Sequence, residues 1–143
     1  MIQIDVDGRP APKGSRIMAR TKTGKSYSRP ASKYEKPWVE AVKTATQIVM
    51  RHAQLAPPYR VELEFRLQKP KPNGRASPWP TGHDLDKLAR STIDGLVQGG
   101  ALSDDRHVTA LTASKRYAEP GEQPGVVARV SENAPIAGVR LSA

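Results

Sequence analysis

Five of the fourteen carboxylates in this 143-residue chain fall in one short window: Asp84, Asp86, Asp94, Asp104 and Asp105. Carboxylates crowded this closely repel one another, and a hard divalent cation relieves that repulsion. Mg²⁺ accepts such oxygen ligands and keeps coordination positions for substrate phosphate. The rest of the chain has the opposite sign, with 23 Lys and Arg against 14 Asp and Glu and a formal net charge of +9. That excess attracts polyanions, and nucleic acid is the leading partner because phosphate contacts by Lys and Arg release counterions. Acids gathered inside a basic surface suit a metal-dependent nuclease, in which the surface holds the backbone and the metal acts on one phosphodiester. Each acid also has a plainer reading: Asp84 as a helix cap, Asp94 as an ion-pair partner, Asp104-Asp105 as a turn. All of these would have to hold at once in a strongly basic chain.

The spacing of the first two acids constrains the backbone that carries them. Placed mid-helix, Asp84 and Asp86 would point about 200° apart, whereas in extended chain residues i and i+2 project to the same side. The spacing therefore predicts Asp84 at an extended lead-in or N-cap and Asp86 in the first turn of a helix, where the helix dipole favours a carboxylate. That helix runs from about Asp84 to Gln98 and closes at Gly99-Gly100. Leu85, Leu88, Ala89, Thr92 and Leu96 form its core stripe. Asp86, Arg90 and Asp94 follow one another at i, i+4 and i+8 on a neighbouring face, so Arg90 is expected to pair with both acids. A turn over Gly99 to Ser103 offers to bring Asp104 or Asp105 back toward Asp86.

Other elements must hold this segment in place. Ile2, Ile4 and Val6 alternate with polar residues as a short strand. Arg9 to Arg29 is basic and turn-rich, a hairpin or ordered surface loop. Ser32 and Glu35 have capping-box spacing, and Tyr34, Trp38, Ala41, Val42, Ala45, Ile48 and Val49 then make an apolar helical stripe, with Pro37 arguing for a start near Lys36. Trp38 reads as core. Val61, Leu63, Phe65 and Leu67 alternate with Glu62, Glu64 and Arg66, the strongest strand signal in the chain. Lys69 to Gly82 is a proline-rich loop, and Val108 to Tyr117 and Val126 to Val130 are two further strands. The order predicts an α/β (α+β) fold with a small mixed β-sheet and two main helices. It is expected as a single nuclease domain over residues 1–131, with residues 132–143 as a flexible tail.

Composition excludes other classes. There is no cysteine, so disulfides, thiolate metal sites and cysteine nucleophiles are ruled out. No apolar run approaches the length of a membrane span, and the start of the chain lacks a signal-peptide stretch. A cytoplasmic protein is expected, with no membrane partner.

Asp84-Leu85-Asp86-Lys87-Leu88, then Asp94-Gly95-Leu96, then Leu102-Ser103-Asp104-Asp105 followed by Val108 resembles the signature of RusA-like Holliday junction resolvases. The likeness covers about Asp84 to Lys115, and the order of elements on either side suits the family. It implies a homodimeric, Mg²⁺-dependent crossover junction endodeoxyribonuclease, active in a bacterial or phage-infected cytoplasm, that resolves four-way DNA junctions by paired symmetric nicks. Mn²⁺ is expected to substitute for Mg²⁺. The resemblance assigns metal binding to Asp84, Asp86 and Asp105, makes Asp94 and Asp104 additional acids, and gives Arg90 and Lys115 the two basic positions of the site. Lys87 stands where the family usually has Asn, and Arg90 where it usually has Lys. Arg keeps the charge but does not readily release a proton, which favours phosphate positioning over acid catalysis.

Lys13, Arg16, Arg20, Lys22, Lys25, Arg29, Lys69, Lys71, Arg75 and Lys87 are the expected DNA-backbone contacts. Trp79 is either a stacking platform for an opened base or, more simply, a loop-packing residue between Pro78 and Pro80. His83 and His107 flank the acids but are left outside the catalytic set. Rival readings are a non-catalytic DNA-binding protein and a nuclease for other branched DNA such as flaps or forks.

Overall fold

The computed structural model describes residues 1–14, 16–30, 33–71 and 77–134, with the backbone alone at 16–19 and 27–30. The elements run β1 (Ile2–Asp7), β2 (Arg16–Arg20), β3 (Ser26–Pro30), α1 (Glu35–Met50), β4 (Tyr59–Leu67), α2 (Leu85–Gln98), a single 3₁₀ turn at Asp105–His107, β5 (Val108–Tyr117) and β6 (Gly125–Glu132). Four strands form one mixed sheet in the order β1-β6-β4-β5. β6 is antiparallel to both β1 and β4, while β4 and β5 are parallel. The expected α+β architecture with two main helices is therefore the one observed.

Alternation along the strands sets the two faces of the sheet. Val6, Val126, Phe65 and Lys115 lie in one cross-strand row, as do Ile4, Ala128, Leu63 and Ala113. All except Lys115 and Ala113 are almost wholly buried, and both helices pack over this face. α1 lies against β1 and α2 against β5, and the two helices touch along their length. Trp38 is core, as its stripe predicts, and its indole N–H donates to Thr92 Oγ1 at 3.1 Å across the helix pair. Gly95 makes that approach feasible, because a Cβ there would come within 2.6 Å of Val42 Cβ. Ile48, placed in the apolar stripe by its spacing, is instead 55% exposed, since Thr46 takes the inward position on that turn.

α1 begins at Glu35, one residue before the start Pro37 suggests. The first helical bond runs from Trp38 N–H to Tyr34 O, so Pro37 sits in the first turn, where no donor is needed. Ser32 lies outside the described residues. Its expected partner Glu35 accepts from the Gly14 N–H at 2.6 Å, tying the basic segment to the helix start.

Arg66 departs from the alternation of β4. The pattern puts it on the polar side, yet it is 6% exposed. Its Nε donates to Gln123 O at 2.9 Å, Nη2 bonds Asp7 Oδ1 at 3.2 Å, and Asp5 and Glu122 lie at 3.9 Å. The guanidinium thus joins β1, β4 and the turn before β6, with charge partners offsetting its desolvation. Gly125 leaves space for it: a Cβ there would collide with the Val6 carbonyl and reach 2.6 Å from Arg66 Nη2. Gly125→Ala is expected to cost about 1–3 kcal/mol through overpacking. Thermal unfolding followed by circular dichroism should show a midpoint lowered by about 5–10 °C.

β6 continues to Glu132, whose carboxylate accepts from the Ala56 N–H at 2.8 Å, and the Asn133 N–H bonds Pro58 O at 2.7 Å. The start of the expected tail is thus held by the fold, and residues 135–143 lie outside the described residues. Among the described residues no helix is long and apolar enough to cross a membrane.

Candidate active site

The site is assembled where the parallel strands β4 and β5 end. A parallel pair needs a crossover, and α2 supplies it, running antiparallel to both strands. Its N-terminus therefore lies at their carboxyl ends, beside Leu67 and Tyr117, the position where open α/β sheets leave a crevice. Asp84 is the N-cap, with extended backbone at φ −69° and ψ 132°, and Asp86 follows in the first helical turn. Both placements match their spacing. The Asp84 side chain makes no capping hydrogen bond. It is 70% exposed, and its ion-pair partner is Lys87, one turn on, at 3.6 Å. A carboxylate in the cap position that leaves the cap unmade is available to another ligand.

Lys115 reaches the same end from β5. Register puts it in the row of Phe65 and Val126, which faces the helices. Its Nζ donates to the carbonyl of His83 at 2.6 Å, directly before Asp84. Burial first, then the charges of Arg9 and Lys115, hold the His83 imidazole below its ordinary pKa, against the opposing pull of Asp84. Asp84, Asp86 and Lys115 are thus brought to one end of the domain, with Arg90 exposed one helical turn beyond Asp86.

The remaining acids stand elsewhere. Asp94, Asp104 and Asp105 line a cleft of about 240 Å³ with Val97 and Gln98, near the C-terminal end of α2. The 14-residue helix spans about 21 Å at 1.5 Å per residue. The turn after α2 therefore carries Asp104 and Asp105 away from Asp86, not toward it. The bond between the Tyr59 hydroxyl, at the start of β4, and Ser103 at 3.3 Å fixes that turn at the opposite end of the sheet, where β4 and β5 begin. His107 Nδ1 lies 2.7 Å from Ser103 Oγ there. Asp104 caps the short turn, and the Arg106 N–H, followed by the Asp105 side chain, keeps its carboxyl below the usual value. Among the described residues, no three His, Asp or Glu side chains are grouped to hold a metal ion within one chain.

Asp94 pairs with Lys13 at 2.9 Å, not with Arg90. The Lys13 N–H also bonds Lys87 O, so the segment after β1 crosses α2 and supplies its own cation. Arg20, Lys22 and Lys25 are exposed near the turn of the β2–β3 ribbon, and Lys71 is exposed after β4. Lys69 sits over the Tyr117 ring at 5.9 Å. The side chains of Arg16 and Arg29, and the whole of Arg75, lie outside the described residues. Trp79 is 65% exposed.

The sequence profile of endodeoxyribonuclease RusA matches residues 7–130. The chain belongs to the RusA family. The match spans every element of the main sheet except most of β1 and the end of β6, so it includes both acid groups and Lys115. RusA-family membership carries Holliday junction endonuclease activity as the function class. No curated protein matches the chain significantly.

Sequence reasoning gave Gln68 and Tyr117 no role in the site, held Arg9 only as the start of the basic segment and left His83 outside the catalytic set, yet the four line one cavity that ends at the residue before Asp84. Tyr117 had a usable signal: it lies two residues beyond Lys115 on a strand and so shares its face. Arg9 and Gln68 had none, because only the packed sheet brings them there.

Proposed function

We propose that this RusA-family protein is a Mg²⁺-dependent endonuclease that resolves four-way DNA junctions, working as a homodimer that makes one nick per subunit. The observation that supports this most directly is the convergence of exposed Asp84 and Asp86 with Lys115 at the carboxyl end of β4 and β5. The donor set suits Mg²⁺, which commonly takes one or two carboxylates and completes its octahedron with water and substrate phosphate. Asp84 and Asp86 would hold the ion, and when bound it lowers the pKa of a coordinated water and neutralises phosphate charge.

The chain's own side chains contribute orientation and counter-charge. The hydrogen bond from Lys115 to the His83 carbonyl holds its ammonium beside Asp84, where it faces a non-bridging or leaving oxygen of the cut phosphate. Arg90, always charged, adds a planar donor fork one turn along α2. The β2–β3 ribbon, with Arg20, Lys22 and Lys25, has the width of an element that fits a DNA groove, and it engages the arms of the junction. A two-fold dimer suits a four-way junction because the two cuts are related by the same symmetry. It also offers a route for Asp105: a set of Asp84, Asp86 and Asp105 is formed when the far end of one chain's α2 meets the near end of the other's.

The test is incubation of the purified chain with labelled four-way junction, flap, fork and linear duplex, in Mg²⁺, in Mn²⁺ and in EDTA. Paired symmetric nicks in the junction, present with either metal and absent in EDTA, are expected. Equal cutting of flaps and forks would broaden the substrate to branched DNA in general. Tight junction binding with no cutting in either metal would leave a DNA-binding protein and defeat the nuclease reading.

A further inference from the structure

Beside Asp84 the fold leaves a cavity of about 540 Å³, within the range of pockets that enclose small molecules. Leu67 and Pro80 supply apolar wall, and Gln68, His83, Tyr117 and Arg9 supply polar and aromatic groups. These walls are held from outside. The Tyr117 hydroxyl lies 2.9 Å from the Ser77 carbonyl and 3.0 Å from that of Trp79. The Arg9 guanidinium stacks 3.7 Å from the centroid of the Tyr34 ring. The cavity follows the carboxyl ends of β4 and β5, and His83 joins it directly to Asp84.

We propose that this cavity is a nucleobase pocket, taking one unstacked base of the DNA strand next to the phosphate handled at Asp84 and Asp86. The proposal rests on the nuclease reading above for the path of the strand. A phosphodiester held at Asp84 has its flanking nucleotides within reach of His83, and the neighbouring opening is largely apolar and edged by the Gln68 amide. That chemistry fits a base: Tyr117 and the proline wall offer faces for stacking, the Gln68 amide can both donate to and accept from a base edge, and Arg9 at the rim meets the attached phosphate. A branch point interrupts the continuous stack of a duplex, so a base there gives up fewer stacking contacts on leaving it. The pocket would make both binding and cutting depend on the base beside the cut.

Gly82 gives a clean probe. It lines the cavity, and a Cβ added there meets nothing within 4 Å, so Gly82→Phe places a ring at the cavity mouth without a clash at its root. Binding of the full chain to four-way junctions is measured without divalent metal, with abasic substitutions scanned through the branch-point nucleotides. One position is expected to weaken binding by about 5- to 150-fold, the range of one lost base–aromatic stack. Gly82→Phe, checked for native melting, is expected to bind the intact junction as weakly as the native chain binds the abasic one. Gln68→Ala is expected to flatten the preference among the four bases at that position. The proposal is overturned if no abasic position matters, if Gly82→Phe binds the intact junction normally, or if Gly82→Phe changes only the oligomeric state, which would assign the cavity to a second copy. Because this readout is binding alone, an abasic penalty without any cleavage in Mg²⁺ would sink the nuclease reading and leave the pocket standing.

Discussion

An Asp86→Asn chain is expected to bind a four-way junction at least as tightly as the native one and to cut it at least about 1,000-fold more slowly. Charge stabilisation by a bound divalent ion is worth several kcal/mol, and each 1.36 kcal/mol is tenfold in rate. Asparagine keeps the shape and one acceptor oxygen but lacks the charge that draws the ion. Asp86 is exposed in the first turn of α2, so the fold loses only a favourable dipole contact of about 0.3–1 kcal/mol. Binding is preserved, and in EDTA it should improve slightly because a negative charge has left the path of the DNA. Glu64→Gln is the matched control. It removes the exposed pair to Arg129, a contact worth about 0–1 kcal/mol, and should cut at close to the native rate. Single-turnover cleavage beside gel-shift affinity separates these outcomes. Native-rate cutting by Asp86→Asn would remove Asp86 from the site.

Mixing two inactive chains should restore part of the activity. Asp86 and Asp105 stand near opposite ends of a helix about 21 Å long, too far apart to share one ion within a chain. If Asp105 completes the site of the partner copy, a heterodimer of Asp86→Asn with Asp105→Asn carries one doubly damaged site and one intact site. Co-purified through two different tags, it should nick junctions at about half the native rate while leaving them unresolved, because resolution needs the paired cut. Each mutant homodimer should be inactive. A heterodimer as inactive as its parents would place Asp86 and Asp105 in the same site through a rearranged chain. An active Asp105→Asn homodimer would show that Asp105 serves the short turn before β5 and nothing more.

Much of this protein is legible from its residues in order. The alternation from Val61 to Leu67 is β4, the stripe from Leu88 to Leu96 is the buried side of α2, and the D-x-D spacing puts Asp84 at the cap and Asp86 in the first turn. These are local consequences of side-chain periods of two and 3.6, and the acid motif that marks the RusA family is local as well. Tertiary structure decided which local features meet. Nothing in the run from Gly99 to Asp105 reveals that the turn closes against Tyr59 and leaves Asp105 far from Asp86. That follows from the parallel pairing of β4 with β5, which obliges α2 to run the length of the sheet between them. Arg90 has the helical spacing to reach Asp94, but Lys13 arrives from 81 residues away and takes it. Arg66 follows the polar rhythm of β4 yet is buried, because carboxylates from β1 and from the turn before β6 come to meet it. Lys115 owes its place beside Asp84 to strand register. The periodicity of a segment says which way a side chain points; only the assembled sheet determines what stands opposite, since those partners are separated by chain length and joined by packing.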